Sequence, residues 1–319
     1  MYHTAINSKT VIPIQSTSHI FMVRPSVFYG NPETATNNFF QRTTDENKMA
    51  TTQKAQEEFD GLVNVLRTAG VYVYVWQDFE NSDTPDAVFP NNWISFHRPR
   101  TQFLYPMYAP NRRLEIRHEP LQMLANLGFQ PDTKHDFSGY VKKDMFLEGT
   151  GALVLDRIHK KAYCALSDRC NKELVDLFCE SMDYKAVVFT AFQTHQNKRL
   201  PIYHTNVMMC IGTKFAVVCL DSVDDTDQRN ILLQSLLNDG KDVITISEAQ
   251  TNAFAGNMME VCNADGAFFV VMSETAFKSL SSEQIQRLEQ HVTILHSPLT
   301  TIEQLGGGSA RCMMAEVFI

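Results

Sequence analysis

The sequence predicts an α/β protein built from five copies of one unit, and three observations carry that reading. A polar or glycine-rich turn feeding a short apolar strand occurs five times, at residues 90–96, 148–155, 204–210, 255–261 and 309–317. Taking Asn92, Gly149, Asn206, Asn257 and Cys312 as markers, the steps are 57, 57, 51 and 55 residues. A period of that size signals a repeat architecture. Between the markers, strand patterns alternate with helical ones, as in mixed sheets covered by helices. No low-complexity linker divides the 319 residues, so a single domain over 1–319 is expected.

Each unit is expected to run strand, helix, strand, loop and marker strand. The first holds a long helix over 48–69 and a strand at 71–75. The second is the least regular, with a helix over 111–127. The third has a strand at 162–166, a helix over 171–180 and a strand at 185–189. The fourth is the clearest. Residues 215–220 form a buried-strand run, and Asp224, Asp225 and Asp227 place acid at the positive end of a helix. Ile231, Leu232, Leu236 and Leu237 give that helix an apolar face until Gly240 stops it. A strand at 242–246 follows. The fifth repeats the plan with a strand at 267–272, a helix opening at 281–284 and a strand at 292–295. The Gly306-Gly307-Gly308 loop then leads to a strand at 312–318.

Composition narrows the function. With 44% apolar and 20% charged residues this is an ordinary globular composition. A formal charge of −8 argues against nucleic acid or an anionic membrane as partner, because phosphate binding needs clustered Lys and Arg. A small-molecule substrate is expected, and self-association is left open. Residues Met1–Lys9 lack the charged and apolar regions of a secretory leader, and no apolar run is long enough to span a bilayer. Seven cysteines include no Cys-x-x-Cys pair, so neither a zinc site nor a redox motif is indicated. A reducing cytoplasm is the expected setting.

Cys312 differs from the other cysteines. It follows Gly-Gly-Gly-Ser-Ala-Arg and opens a strand, with Arg311 beside it as a source of positive potential. Glycines permit close approach of a ligand, and a reactive thiol needs access and a stabilised thiolate; the bland alternative is one more buried thiol. His204 is the one histidine of ten at a repeat marker. Its proton affinity near neutral pH suits it to partner a cysteine, though a lone histidine is more often structural. Glu148 enters the Gly149-Thr150-Gly151 turn, where it either orients the histidine, binds a substrate N–H group, or merely caps a turn. No Gly-Lys-Ser/Thr follows, so this is not a phosphate loop. The segment from Asp86 to Trp93 sets polar groups among aromatics: Asp86 suits a substrate nitrogen, Phe89 a planar group, and Asn92 offers donor and acceptor. A Pro-Asn-Asn turn between strands would account for the same composition.

These features together resemble the amidinotransferase, or pentein, superfamily over nearly the whole chain. They are the five repeats, Glu148 in Leu-Glu-Gly-Thr-Gly, His204 before a strand and Cys312 near the end. The stretches 34–41, 89–93 and 203–209 look most like the arginine-deiminase-related, citrulline-utilisation branch. The resemblance implies a five-bladed pseudo-fivefold α/β propeller with its site on the axis. It implies Cys312 as nucleophile, His204 as general acid and base, and Glu148 as the carboxylate that positions His204 or substrate, with no metal or organic cofactor. Guanidine-processing relatives generally carry acids where this chain has Asn92 and Asn206. Amides better suit a neutral ureido group, so citrulline is the favoured substrate, with a guanidino compound retained through Asp86 and Glu148. Arg24, Arg113, Arg117 and Arg311 are candidates for a substrate carboxylate, Arg311 standing beside the nucleophile. The same groups would serve an amidinotransferase, in which an amine replaces water. A non-catalytic binding protein of this fold is disfavoured by the presence of Glu148, His204 and Cys312. A papain-like protease is disfavoured because its cysteine comes early and opens a helix.

Overall fold

Five three-stranded sheets share one topology in the computed structural model, which describes residues 14–318 apart from Thr43, Asp45 and Asn81. The Met1–Lys9 segment lies outside the described residues. In every sheet the middle strand pairs antiparallel with the strand after a marker turn and parallel with the strand after a helix. The middle strands are His19–Arg24, Thr101–Leu104, Lys161–Ala165, Phe215–Val218 and Phe268–Ser273. Phe215–Val218 is buried along its whole length, the mark of a strand covered on both faces.

The unit boundary differs from the expected one by a strand. The marker strand does not finish its own sheet; it opens the next. Met209–Ile211, for example, turns through residues 212–214 and pairs with Phe215–Val218. The reason is loop length, since so short a link allows only an antiparallel hairpin, whereas parallel strands need a long crossover. The marker strand Ala315–Glu316 returns instead to the first described middle strand, pairing Ile20 with Glu316 and Phe21 with Ala315. The strand that follows the Cys312 turn is thereby paired with His19–Arg24 in one sheet.

The expected helices form, with capping that explains their starts. Lys48–Thr68 is capped by Asn47, which accepts from Ala50 N, and buries Ala55, Phe59, Leu62 and Leu66. Asn171 caps Lys172–Met182. Asp225 caps Thr226–Asn238, accepting from Asp227 N and Gln228 N. That helix buries Leu232 and Leu236 but leaves Ile231 and Leu237 exposed, a narrower stripe than the sequence suggested. Ser281 forms a capping box on Ser282–Glu289.

The single helix expected over 111–127 is two pieces. Asn111–Glu115 is a 3₁₀ turn and His118–Asn126 an α-helix, with Ile116 and Arg117 extended between them. Pro120 lacks the N–H that would bond the Ile116 carbonyl, and its ring would clash there, so no continuous helix can pass. A hairpin of Phe192–His195 and Lys198–Pro201 was not anticipated. It turns on Gln196 and Asn197, both at positive φ, as hairpin turns require.

The marker turns are neighbours in space. The short helix Gly149–Ala152 touches the 3₁₀ turns Pro90–Asn92 and Thr205–Val207, and Pro90–Asn92 touches Ala310–Met313. Cys312 lies within the Ala310–Met313 turn rather than at the start of a strand as expected, and the strand proper is only Ala315–Glu316.

Candidate active site

The turn that carries Cys312 points its sulfur at two amides from neighbouring units. Asn206 Nδ2 lies 3.4 Å and Asn257 Nδ2 3.2 Å from Cys312 Sγ. Asn257 is itself fixed: its Nδ2 also donates to the Asn206 carbonyl at 3.0 Å, and its Oδ1 accepts from Arg311 N at 3.0 Å. Two amide N–H donors from different units therefore converge on one sulfur. The glycines before it make room. A Cβ on Gly306 would come 2.7 Å from the Phe89 ring, and one on Gly307, whose φ is +65°, would strike Asn38. All seven cysteines are free.

Glu148 and His204 form a buried pair, with His204 Nε2 2.8 Å from Glu148 Oε2. Tyr108 N donates to Glu148 Oε1 at 2.9 Å, and Arg169 Nη1 lies 3.5 Å from Oε2. Burial alone would raise the Glu148 pKa. Arg169, the His204 hydrogen bond and Arg112 outweigh it and hold the carboxyl well below the usual range. An ionised carboxylate only accepts, so the His204 proton sits on Nε2 and leaves Nδ1 as a base. Burial pushes the His204 pKa down to about 4 against the raising effect of Glu148, so the ring is neutral at neutral pH. Gly151 is required here: a Cβ would collide with Asn92 Nδ2 and stand 2.8 Å from His204 Nδ1.

Asp86, Phe89, Asn92, Arg112, Arg169, His204 and Cys312 line a single small pocket with about 10 Å³ of free space. Asp86 Oδ2 accepts from Asn31 Nδ2 at 2.7 Å, while its Oδ1 is buried with no partner among the described residues. Burial raises the Asp86 pKa, only partly offset by Arg112 and Asn31. Asn92 Oδ1 accepts from Arg112 Nη1 at 2.8 Å, leaving Nδ2 without a partner. Arg112 is gripped from behind by Glu115, with Nε–Oε1 and Nη2–Oε2 both 2.9 Å. Buried polar atoms are ordinarily paired, so Asp86 Oδ1 and Asn92 Nδ2 mark a place for a polar ligand. Asn38 also lines the pocket, its Nδ2 donating to Gly306 O at 3.2 Å.

Of the residues singled out in the sequence, Cys312, His204, Asp86, Phe89 and Asn92 meet at this pocket, and Glu148 stands directly behind His204. Asn206 and Arg311 do not line it. They line a second cavity of about 30 Å³, with Gln15, Glu260 and Glu316. The tie of Asn206 to the site is its bond to Cys312, which removes it from the argument for amides around the substrate. The Arg311 guanidinium serves Met314 O and Glu316, its nearest acceptors. Nor do the other candidate arginines line the pocket: Arg24 pairs with Asp60, Arg113 binds Met107 O and Tyr108 O, and Arg117 lies near Asp78.

Sequence reasoning missed Arg112, Arg169, Glu115 and the role of Asn257. Asn257 had a signal, since it occupies a repeat marker; the others had none that stands out locally. Asp156, His159 and Asp239 approach one another as metal ligands would, but Lys241 Nζ on Asp156 (3.0 Å) and Lys161 Nζ on Asp239 (2.6 Å) already supply the positive charge. That cluster is a salt-bridge network. No helix among the described residues is long and apolar enough to cross a membrane.

The chain matches no curated protein sequence. Among solved structures, apo ArgZ, an arginine dihydrolase from the ornithine–ammonia cycle in cyanobacteria, superposes with a TM-score of 0.70 at 16% identity. That match covers 94% of this chain and 40% of ArgZ, so this chain spans about 40% of that protein's length. The N-terminal domain of ArgZ bound to product gives 0.71 at 17% identity, over 94% of this chain and 97% of the domain. A dimethylarginine dimethylaminohydrolase carrying an S-methyl-L-thiocitrulline adduct gives 0.62 at 14% identity, over 93% and 98%. At such identities the likeness is one of fold. None of these proteins is named for hydrolysis of citrulline, so the expectation of citrulline as favoured substrate gains no support from them. A family model described as N,N dimethylarginine dimethylhydrolase, eukaryotic, matches residues 24–319. The chain therefore belongs to that family, within the amidinotransferase superfamily.

Proposed function

We propose that this protein hydrolyses a C–N bond of a small guanidino or ureido compound derived from arginine, using only its own side chains and a covalent Cys312 intermediate. One observation carries the reading: a single buried site joins a thiol under two amide donors, a Glu148-bound imidazole and an unpartnered Asp86 oxygen. The roles follow from the chemistry. His204 Nδ1 takes the Cys312 proton, and the thiolate adds to the planar carbon of the substrate. The imidazolium, held by Glu148, gives that proton to the departing nitrogen, and the C–N bond breaks with the carbon left on sulfur. Water then adds to that carbon as His204 takes its proton, the C–S bond breaks, and thiol and neutral imidazole are restored.

A guanidino substrate treated this way yields a ureido compound and ammonia or an alkylamine. A ureido substrate yields a primary amine and carbamic acid. The arginine-directed neighbours favour the first, while the Asn92 amide favours the second. Both are met if one site takes a guanidino compound to the ureido level and then to the amine. Asp86 Oδ1 accepts an N–H in either round, and Arg169 at the pocket wall is the group best placed for an α-carboxylate. We read the five sheets as blades of a propeller around this site, residues 1–319 as one domain, and the free thiols as fitting the cytoplasm.

The test is product analysis by mass spectrometry after incubation with arginine, methylated arginines, citrulline, agmatine and guanidinoacetate, with Cys312→Ala as control. Ornithine or a ureido product that disappears in the control is the expected result. An unchanged panel would remove the proposal.

A further inference from the structure

We infer that Glu115 is a specificity-positioning residue: through Arg112 it fixes which end of the Asn92 amide faces the reacting group, and so selects for a substrate atom that accepts a hydrogen bond. This rests on the proposed hydrolase reading and adds to it a device that discriminates ureido from guanidino compounds.

An asparagine side chain is nearly symmetric in shape, so its polarity in a pocket is set by what it meets behind. Arg112 has only donors, and its Nη1 lies 2.8 Å from Asn92, so the atom turned to it is oxygen. The NH₂ end is then turned the other way, over Gly151 and towards His204, where it has no partner among the described residues. Arg112 can hold this role only while its own direction is fixed. The bidentate grip of Glu115 does that, through two parallel bonds of 2.9 Å with all three groups buried. A fork-on-fork arrangement is geometrically far stricter than a single contact. The remaining donations of Arg112, to Phe89 O at 3.2 Å and Asp86 O at 3.5 Å, pin the guanidinium plane from the third side.

The consequence concerns chemistry at the pocket wall. A guanidinium offers only N–H donors and meets the Asn92 NH₂ donor to donor. A ureido group offers one carbonyl oxygen that can accept from it, while its N–H groups face Asp86 Oδ1. Loosening the grip lets the amide turn over, bringing Oδ1 to the substrate and converting a donor wall into an acceptor wall.

The experiment compares kcat/KM for citrulline and arginine in the wild type, Glu115→Gln and Asn92→Asp, with thermal denaturation as folding control. Asn92→Asp replaces the donor by a permanent acceptor and sets the scale for full reversal. The expected result is a citrulline-to-arginine ratio that falls about tenfold in Glu115→Gln, in the same direction as Asn92→Asp. Should Glu115→Gln fail to fold, Arg112→Lys keeps the charge but loses the fork, and the same ratio is read. A ratio unchanged within twofold, with both substrates slowed alike, would show a structural role and overturn the inference alone. A wild type that turns over neither compound and binds neither as Cys312→Ala would overturn the hydrolase reading, and the inference with it.

Discussion

Two cavities, one lined by Cys312 and the other by its hydrogen-bond partner Asn206, both contain buried charge, yet they differ in one respect. In the cavity of Gln15, Glu260, Arg311 and Glu316 the charges are answered. Glu316 meets Arg157 at 3.2 Å and Arg311 at 3.0 Å, Glu260 accepts from Thr213 N at 2.9 Å, and Gln15 Nε2 donates to Leu155 O at 2.9 Å. In the pocket of Asp86 and Asn92, two buried polar atoms have no partner among the described residues. The one unpaired atom against the first cavity, Asn206 Oδ1, belongs to the residue that donates to Cys312. Buried charge alone therefore does not mark a functional site; what sets this pocket apart is that two unpartnered polar atoms, Asp86 Oδ1 and Asn92 Nδ2, line it together with Cys312 and His204.

The comparison can be broken by substitution on each side. Cys312→Ala should lower kcat/KM by on the order of 10⁴-fold or more with little change in folding, since groups that act as a unit fail together. Residual turnover above that level would place the chemistry elsewhere. Next, Glu316→Gln should cost about 3–5 kcal/mol of stability, because it leaves Arg157 and Arg311 buried without a full counter-charge. Asp86→Asn should do the reverse, abolishing most activity while leaving stability equal or higher, because its carboxylate is desolvated and half-paired. Urea titration of both variants separates these outcomes, and equal losses of stability would erase the distinction.

A third effect is one of pH. His204 titrates near 4 in the folded protein against an ordinary value of 6.5. Between those values the unfolded chain binds a proton that the folded chain refuses, so this stabilisation is fully present above about pH 6.5 and is lost as pH falls towards 4. The difference in unfolding free energy between wild type and His204→Asn should therefore shrink by about 2–4 kcal/mol on going from pH 7 to pH 4. A flat difference would mean that the ring is not buried in neutral form. The smallest effect is expected at Asn257. Removing one donor from the sulfur with Asn257→Ala should remove a hydrogen bond worth about 1 kcal/mol of stabilisation to the attacking sulfur and slow alkylation of Cys312 about fivefold. A rate unchanged from wild type would assign that stabilisation to Asn206 alone.

The parts legible in the sequence were those written in local pattern. Cys312, His204 and Glu148 each stand at a repeat turn, and their convergence follows from the period. Helix starts at Asn47, Asn171, Asp225 and Ser281 could be read from capping chemistry. The unit boundary was misjudged because periodicity alone does not say which neighbour a strand pairs with; the three-residue link at 212–214 does, through hairpin geometry. Arg112 and Arg169 were invisible for a different reason. Each acts through residues far along the chain: Arg112 through Asn92 and Asp86, Arg169 through Asn37 and Glu148. Nothing in the local sequence around either arginine records those partners. Arg311 misled for the converse reason, since adjacency to Cys312 in sequence does not bring its side chain into the same pocket.

The return of the last marker strand to the first has a consequence for the order of synthesis. Glu148, His204, Asn206 and Asn257 all leave the ribosome before Cys312, and the strand at Ala315–Glu316 must then find His19–Arg24, which precedes every other described strand. Cys312 is thus the last of these residues to appear, and its turn docks beside a strand made before any of them. The thiol joins a pocket whose Asp86, Asn92 and His204 have already been made.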